Sequence, residues 1–299
     1  MTQLLALPGP VEVVAEDTGG HLSPLLLSTF AVSALIEEAE LTPKPALVDR
    51  RGSGAHHDLD LPLLRRSAQA LHRGFIALAR AAVGEPPTLR LREQIGRIGR
   101  GMERRMLLAT GGCNAHRGAI WALGLLVAGA AQRRSDRNAS RIAVRAAALA
   151  LLPDQFAPRP LSNGERARLR FGAVGARGEA QSAFPHAIAI GLPTLREARE
   201  RGVPEDGARL DSLMAIMASL DDTCLLHRGG RAALEAAQTG ARAVLAAGGT
   251  AAPAGQQRLH RLHTELMARW ASPGGSADLL SVTLFLDRLE GGSWSASSR

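Results

Sequence analysis

Residues 119–132 read AIWALGLLVAGAAQ and carry the clearest structural signal in the sequence. Their apolar side chains recur at helical spacing, and Ala and Leu, which are strong helix formers, dominate the stretch. The apolar run within it, residues 119–131, is the longest of the chain, yet it is shorter than the about 20 residues that a transmembrane helix needs. The stretch therefore predicts a helix of a globular protein, and no membrane partner is expected.

The same helical spacing recurs along most of the chain, whereas strand-like alternation is confined to residues 11–14. The longest irregular stretch is 153–178, and a loop of that length in a compact domain is usually functional. We therefore predict an all-α, single multi-helix globular domain over residues 21–299, with functional loops between helices and an N-terminal extension over residues 1–20. The predicted helices cover residues 24–41, 61–83, 89–109, 119–132, 141–152, 179–201, 207–227, 231–247, 256–270 and 277–289.

The formal net charge of +8 at pH 7 raises the question of a nucleic-acid partner, because cationic proteins gain affinity by neutralising phosphates. Aromatic residues make up only 3% of the chain and Tyr is absent, so platforms for stacking bases are scarce. Many arginines stand beside Glu or Asp on the predicted helices, as on a solvated helical surface. No nucleic-acid partner is expected.

The N-terminus has no Lys or Arg before its first apolar run, so it lacks the charged start of a secretory signal. The chain has two cysteines, which imply no disulfide framework. A cytoplasmic protein is expected.

The two cysteines open the same local phrase, Cys-x-x-His-Arg-Gly, which we call the first phrase (residues 113–118) and the second phrase (residues 224–229). The sulfurs and imidazoles would make a Cys₂His₂ zinc set, but Cys-x-x-His is a loose pattern and no zinc is expected. The other interpretation is an anion site built from the His-Arg-Gly ends. The residues of the zinc set are Cys113, His116, Cys224 and His227.

Lys44 is the only lysine in the sequence and stands between two prolines in TPKPALVDR, residues 42–50. The prolines predict an extended backbone after a helix exit, where Lys44, Asp49 and Arg50 would grip an anion. Chance survival of a single lysine in an arginine-rich chain is the alternative. Because Lys44 is expected in a loop, Lys44→Ala is expected to lower turnover and leave the fold intact.

Around the first phrase, the pattern predicts a helix end, a glycine turn and a new helix start. Gly111 and Gly112 form the predicted turn, and Asn114 is the predicted cap of the helix whose N-terminus holds His116 and Arg117. A turn that feeds a helix N-terminus exposes N–H groups to an anion. Glu103 lies two helical turns before this break and is a candidate catalytic carboxylate.

Three further motifs contain charged residues beside glycines or helix starts. Arg177 could clamp phosphate, and Glu179 could act as an acid or base, although a surface salt bridge explains both residues equally well. The adjacent Asp221 and Asp222 suit Mg²⁺, and the glycine pair after Arg228 predicts a helix end. In SPGGSADLL, residues 272–280, the pattern predicts that Ser276 caps the last helix and that an Asp in its first turn compensates the helix dipole.

Five segments, in this order, resemble the triphosphoribosyl-dephospho-CoA synthase family over about residues 34–286. The resemblance implies an all-α transferase that joins ATP to 3′-dephospho-CoA, releases adenine and gives 2′-(5″-triphosphoribosyl)-3′-dephospho-CoA. The product would pass to a phosphoribosyl-dephospho-CoA transferase acting on an acyl-carrier subunit, with malonate decarboxylase favoured over citrate lyase on the wording of residues 114–117. A homo-oligomer is compatible with it. The segments are TPKPALVDR (42–50), TGGCNAHRGAIWALGLL (110–126), GARGEA (175–180), DTCLLHRGG (222–230) and SPGGSADLL (272–280).

The implied reaction passes through an oxocarbenium-like state, which needs carboxylates near the anomeric carbon and cations around the triphosphate. The family resemblance also implies that Cys113 and Cys224 are variable positions, whereas Arg117 keeps a positive charge. The catalytic candidates are Glu103, Glu179 and Asp222. The candidates for phosphate and nucleotide binding are Lys44, Asp49, Arg50, Gly111, Gly112, Asn114, His116, Arg117, Arg177, His227 and Arg228. Mg²⁺ is expected on Asp221 or Asp222.

Two alternatives remain at the level of sequence. A Mg²⁺-dependent nucleotide phosphohydrolase would use the same acidic and basic loops and release phosphate. A basic helical RNA-binding protein would bind RNA in a strongly salt-dependent way and show no turnover.

Overall fold

The structure, a computed structural model, describes residues 22–157 and 162–291. Within these ranges it is all-α, as predicted, and its nearest approach to a β-strand is one isolated bridge between Asp49 and Gly52. The predicted extension 1–20 and the strand-like run 11–14 lie outside the described residues. The helices are α1 (Pro24–Glu40), α2 (Leu61–Ala82), α3 (Leu89–Ala109), α4 (Arg117–Gln132), α5 (Ala139–Leu151), α6 (Asn163–Phe171), α7 (Gly175–Gln181), α8 (Leu192–Glu200), α9 (Glu205–Met217), α10 (Thr223–Ala246), α11 (Pro253–Ala268) and α12 (Gly274–Leu289), with a π-helical turn at His186–Gly191.

Helices α4 and α12 form the centre of the molecule. Both are apolar around most of their circumference, which is typical of a helix buried on all sides, and almost every residue of each is buried. The two helices contact each other; α4 also packs on α1, α2, α3 and α5, and α12 on α1, α8, α9 and the π-helical turn. Gly129 allows the close approach of α5, since a Cβ there would lie 2.8 Å from the Ile142 carbonyl oxygen.

The sequence prediction was wrong in four places. The stretch 153–178, predicted as irregular, contains α6 and the start of α7. The predicted helix 179–201 is broken at residues 182–184, where Ala183 (φ 60°) and Phe184 (φ 55°) have left-handed backbones, and the π-helical turn after this break runs directly into α8. The predicted helix 207–227 ends early at Met217, because Asp222 caps a new helix at Thr223. The glycine pair at residues 229–230, where the second phrase ends, produces a kink at Gly230 (φ 65°, ψ −162°) and does not end α10.

No helix within the described ranges is both long enough and apolar enough to cross a membrane.

Candidate active site

The first turns of three helices meet at the start of α12. Asp222 is the N-cap of α10 and accepts a hydrogen bond from the Cys224 N–H (2.8 Å). The same carboxylate accepts bonds from the N–H of Gly275 (3.2 Å) and from the N–H and hydroxyl of Ser276 (2.8 and 3.0 Å). Burial raises the pKa of Asp222, while these donors act in the opposite direction. Ser276 therefore anchors α12 to Asp222, and the prediction that it caps α12 was wrong, because Pro273 holds that position.

Asp278 lies just past the first turn of α12 and contacts the first turn of α4. A Cβ on Gly118 would lie only 2.0 Å from Asp278 Oδ2, so the absence of a side chain at Gly118 makes room for the carboxylate. The Ala119 N–H provides a hydrogen bond to it. Burial and the charges of Glu38 and Asp222 raise the pKa of Asp278 well above its ordinary value, and the Ala119 bond opposes this only in part.

Lys44 lies inside the protein and forms an ion pair with Glu38 of α1. Its residue surface is 1% exposed, and its ammonium lies 2.5 Å from Glu38 Oε1 and also donates to the Glu38 carbonyl oxygen. Lys44 therefore lies in a loop, as expected, but its burial argues against the expectation that Lys44→Ala leaves the fold intact. Removing one partner of a buried ion pair leaves the other charge unpaired, which is strongly destabilising.

Asp49 and Arg50 lie on the loop that follows Lys44 and have different environments. Buried Asp49 accepts a hydrogen bond from the Lys44 N–H (2.8 Å) and forms an ion pair with Arg51 (2.7 Å). Arg50 is exposed and lies 3.3 Å from a Glu40 carboxylate oxygen. Asp49 thus holds the loop shape, whereas Arg50 faces solvent.

In the first phrase, His116 is buried and fixed by one ring nitrogen. Its Nδ1 lies 2.7 Å from the Ser67 hydroxyl of α2, whereas its buried Nε2 has no hydrogen-bond partner within the described chain. Burial, and secondarily the nearby charge of Lys44, lowers the pKa of His116 to about 4. The ring is therefore neutral near pH 7.

The glycine turn before the first phrase is formed as predicted, with left-handed φ values at Gly111 (65°) and Gly112 (99°). The Gly112 N–H donates to the Leu107 carbonyl oxygen (2.7 Å), so this donor closes the end of α3. The Asn114 side chain accepts from the Arg117 N–H (3.3 Å), as expected of a residue that caps α4, although His116 occupies the N-cap position. Arg117 forms a 3.3 Å ion pair with Glu103.

Glu179 is buried at the end of α7 and bonded to a histidine. Its two carboxylate oxygens contact the His186 N–H (2.9 Å) and the His186 Nδ1 (2.8 Å). The Glu179 hydrogen bond raises the pKa of His186, and the charge of Asp221 adds to this effect. His186 begins the π-helical turn, a feature often found at functional sites, and the Glu179–His186 hydrogen bond brings a carboxylate and an imidazole within proton-transfer distance.

Arg177 is exposed and lines a surface cleft of about 310 Å³ between α6 and α7. Arg168 lies on the opposite side of this cleft. Neither arginine forms an ion pair with a described residue. The cleft is next to the first turn of α10, because a Cβ on Gly175 would contact Thr223 at 3.5 Å.

The second phrase lies within α10, and its polar residues face outward. His227 and Arg228 are both exposed. Arg228 reaches the Ala55 carbonyl oxygen (2.8 Å) and His56 Nδ1 (3.1 Å), and His56 Nε2 contacts the Ser272 hydroxyl (2.9 Å) just before α12. The second phrase is therefore also connected to the start of α12, through His56.

The two sulfurs do not form a common centre with the imidazoles. Cys113 packs against an apolar cluster that includes Val48 and Leu59, whereas Cys224 lies against Gly274. Burial raises the pKa of the Cys224 thiol well above its usual value, which disfavours the thiolate that zinc requires. Within residues 22–157 and 162–291, no three His, Cys, Asp or Glu side chains are grouped to hold a metal ion. Asp221 is exposed, and both oxygens of Asp222 already accept hydrogen bonds.

Sequence reasoning did not select Glu38, His186 or Arg168, and it interpreted Asp278 only as dipole compensation. Glu38 and Arg168 lie in ordinary helical patterns, so only tertiary contacts distinguish them. For His186, the preceding Pro185 was a local signal of a helix interruption.

Comparison with known proteins agrees with the resemblance seen in the five segments. Residues 25–297 match the family model described as ATP:dephospho-CoA triphosphoribosyl transferase. A protein from Klebsiella pneumoniae, named 2-(5″-triphosphoribosyl)-3′-dephosphocoenzyme-A synthase, is 54% identical over 91% of this chain and 99% of its own length. Proteins named as probable synthases of the same kind from Azotobacter vinelandii (58% identity, 87% of this chain and 90% of theirs) and Pseudomonas fluorescens (56%, 89% and 92%) are also similar.

No solved structure matches the chain. The match to the family model extends over most of the chain and includes both phrases and the first turns of α4, α10 and α12. The chain therefore belongs to the ATP:dephospho-CoA triphosphoribosyl transferase family, a family of transferases.

Proposed function

We propose that the protein transfers the triphosphoribosyl group of ATP to 3′-dephospho-CoA, with release of adenine. The observation that supports this most strongly is the meeting of the first turns of α4, α10 and α12 around Asp222, Ser276 and Asp278. Helix N-termini favour anions because the helix dipole is positive there. Asp222 and Asp278 already occupy N–H groups of these turns, so the triphosphate and the diphosphate are proposed to bind the arginines beside them, Arg117 and Arg228.

The residue roles divide by environment. Arg117, Arg177 and Arg228 have access to solvent, and they are the proposed contacts to the phosphates together with Arg50 and His227. Glu103 and Glu179 remain candidate catalytic carboxylates, acting beside Arg117 and through His186, respectively. For Asp222 the hydrogen bonds favour a structural role, in which it holds α10 and α12 together.

Mg²⁺ is proposed to arrive with the triphosphate of ATP. Asp222 is a poor ligand here because its oxygens already accept hydrogen bonds, and a single exposed Asp221 does not make a metal site. The metal would neutralise phosphate charge, and no zinc is required.

The product is proposed to serve, in the cytoplasm, a phosphoribosyl-dephospho-CoA transferase that modifies an acyl-carrier subunit, with malonate decarboxylase favoured over citrate lyase. Supplying the product to transferases from each system tests this preference. Equal use by both would remove the basis for it.

The experiment that tests the function is incubation of the purified protein with ATP, Mg²⁺ and 3′-dephospho-CoA, followed by chromatography and mass spectrometry. Free adenine and the triphosphoribosyl adduct are expected in equal amounts. Release of phosphate without the acceptor would instead support a phosphohydrolase. Folded protein that releases neither product and binds RNA in a salt-dependent way would support the RNA-binding alternative.

A further inference from the structure

Asp278 differs from an aspartate that merely compensates the dipole of its own helix. Such a residue lies at the surface of a first turn, as Asp206 does in α9. Asp278 instead turns toward a second helix, where its Oδ2 occupies the space that a side chain at Gly118 would fill and where the Ala119 N–H faces it. The carboxylate is thus held between the N-termini of α4 and α12.

The surroundings of Asp278 contain more negative than positive charge. Lys44 is bound to Glu38, and the Asp222 carboxylate is bound by α10 and α12 donors. Asp278 itself forms no ion pair with any residue of the described ranges. A half-buried carboxylate near two others is a strong proton acceptor, because ionisation places a third negative charge in the same region.

A second observation concerns the residue that precedes α4. His116 is 4% exposed and its buried Nε2 has no partner within the described residues, although the ring is fixed through Nδ1 by Ser67. Buried polar atoms are nearly always hydrogen-bonded, so this nitrogen is available to a water molecule or to a substrate group. His116 immediately precedes α4, the helix that Asp278 contacts, and lies near Lys44.

We propose that Asp278 is the catalytic base that accepts the proton of the attacking 2′-hydroxyl group of dephospho-CoA. The hydroxyl oxygen forms a bond to the anomeric carbon of the ATP ribose, and its proton passes to Asp278. The bond from that carbon to N9 of adenine breaks, its electron pair leaves with the base, and adenine takes up a proton from water. Asp278 then returns its proton to water, so charge and atoms balance.

This inference rests on the proposed function, and the test separates the two. Asp278→Asn keeps the shape of the side chain and removes its basicity, and the matched control is Asp206→Asn, a first-turn aspartate on α9. General-base catalysis typically contributes a factor of about 10² to 10⁴. We expect Asp278→Asn to lower kcat for adenine release by at least about 100-fold with little change in KM for ATP, and Asp206→Asn to be as active as the unmodified protein.

Thermal unfolding of the two variants distinguishes catalysis from structure. Since the pKa of Asp278 is raised in the folded state, its ionisation opposes folding above the ordinary aspartate pKa of about 3.9. Asp278→Asn removes this penalty, so its Tm at pH 7 should equal or exceed that of the unmodified protein. Turnover within a few-fold of the unmodified protein would overturn the assignment.

If Asp278→Asn does not fold, the pH dependence of adenine release by the unmodified protein tests the role of Asp278 instead. Activity should fall as pH decreases through an apparent pKa clearly above 3.9, because the base must be ionised. A profile that stays flat down to pH 4 would overturn the role of Asp278. An unmodified protein that releases no adenine would overturn the proposed function and this role together.

Discussion

The first and second phrases share the same residues but differ in their position relative to a helix. The first phrase ends where α4 begins, so His116 precedes the helix and is buried against Ser67. The second phrase begins in the first turn of α10, so its histidine and arginine lie a full turn inside the helix and face solvent. A shared phrase therefore does not imply shared chemistry, because the position of the phrase relative to the helix start determines which of its side chains are buried.

The two phrases nevertheless approach the same place by different routes. Gly118 of the first phrase contacts Asp278, and Cys224 of the second contacts Gly274, both near the start of α12. The first phrase thus contributes a buried, neutral histidine beside Lys44, and the second contributes an exposed arginine that reaches the loop around His56. Four predictions test this contrast.

The largest effect is expected from Lys44→Met, which breaks the buried ion pair beside the first phrase. Losing one partner leaves Glu38 charged and buried, so the free energy of unfolding should fall by about 3–5 kcal/mol. The matched change beside the second phrase, Arg228→Met, should cost less than 1 kcal/mol, since the side chain is exposed. Urea unfolding of both variants measures the difference, and equal losses would contradict the contrast.

A pH titration of stability should reveal the neutral histidines. The pKa values of His116 and His56 are lowered to about 4, in each case chiefly by burial, against an unfolded value near 6.5. The unfolded chain therefore binds more protons between these values, and stability should decline as pH falls from about 6.5 to 4. His116→Gln should flatten this slope. An unchanged slope in that variant would show that His116 is not the titrating group.

Alanine at the two phrase histidines should give a smaller, unequal pair of effects. His116→Ala removes the partner of the buried Ser67 hydroxyl and should cost about 1–3 kcal/mol. His227→Ala should stay within about 0.5 kcal/mol because the side chain is exposed. Comparable Tm shifts in the two variants would contradict the assigned burial.

The smallest effect is expected from the cysteines. Cys113→Val together with Cys224→Asn should be tolerated, with adenine release and Tm close to those of the unmodified protein. Elemental analysis provides the control, since loss of activity accompanied by loss of bound zinc would restore the metal-site interpretation.

Most of the helices could be predicted from the sequence because apolar spacing and turn residues agree with each other along α1 to α5. Helix α6 was not predicted because it is short and almost entirely polar, and its stability comes from the Ser162–Glu165 capping box. The break before α10 was missed because the apolar spacing continues through Leu220 and conceals the N-cap Asp222. Local capping outweighed periodicity in both places.

The candidate site could be predicted only where a residue had a local signal. The glycine turn, Asn114 and the start of α4 follow from turn and capping preferences. Glu38 and Asp278 could not be recognised, because their importance comes from contacts with segments far away in the chain. Burial of Lys44 was likewise invisible, since two flanking prolines predict a loop but not its depth.

The central claim, that the first turns of α4, α10 and α12 hold the reacting groups, is tested most directly by a crystal structure of Asp278→Asn with ATP and 3′-dephospho-CoA. The account predicts the triphosphate at these turns, with the anomeric carbon of ATP and the acceptor hydroxyl both next to residue 278. Nucleotide bound instead in the cleft lined by Arg137, Arg196 and Asp287, with these turns free of ligand, would contradict it.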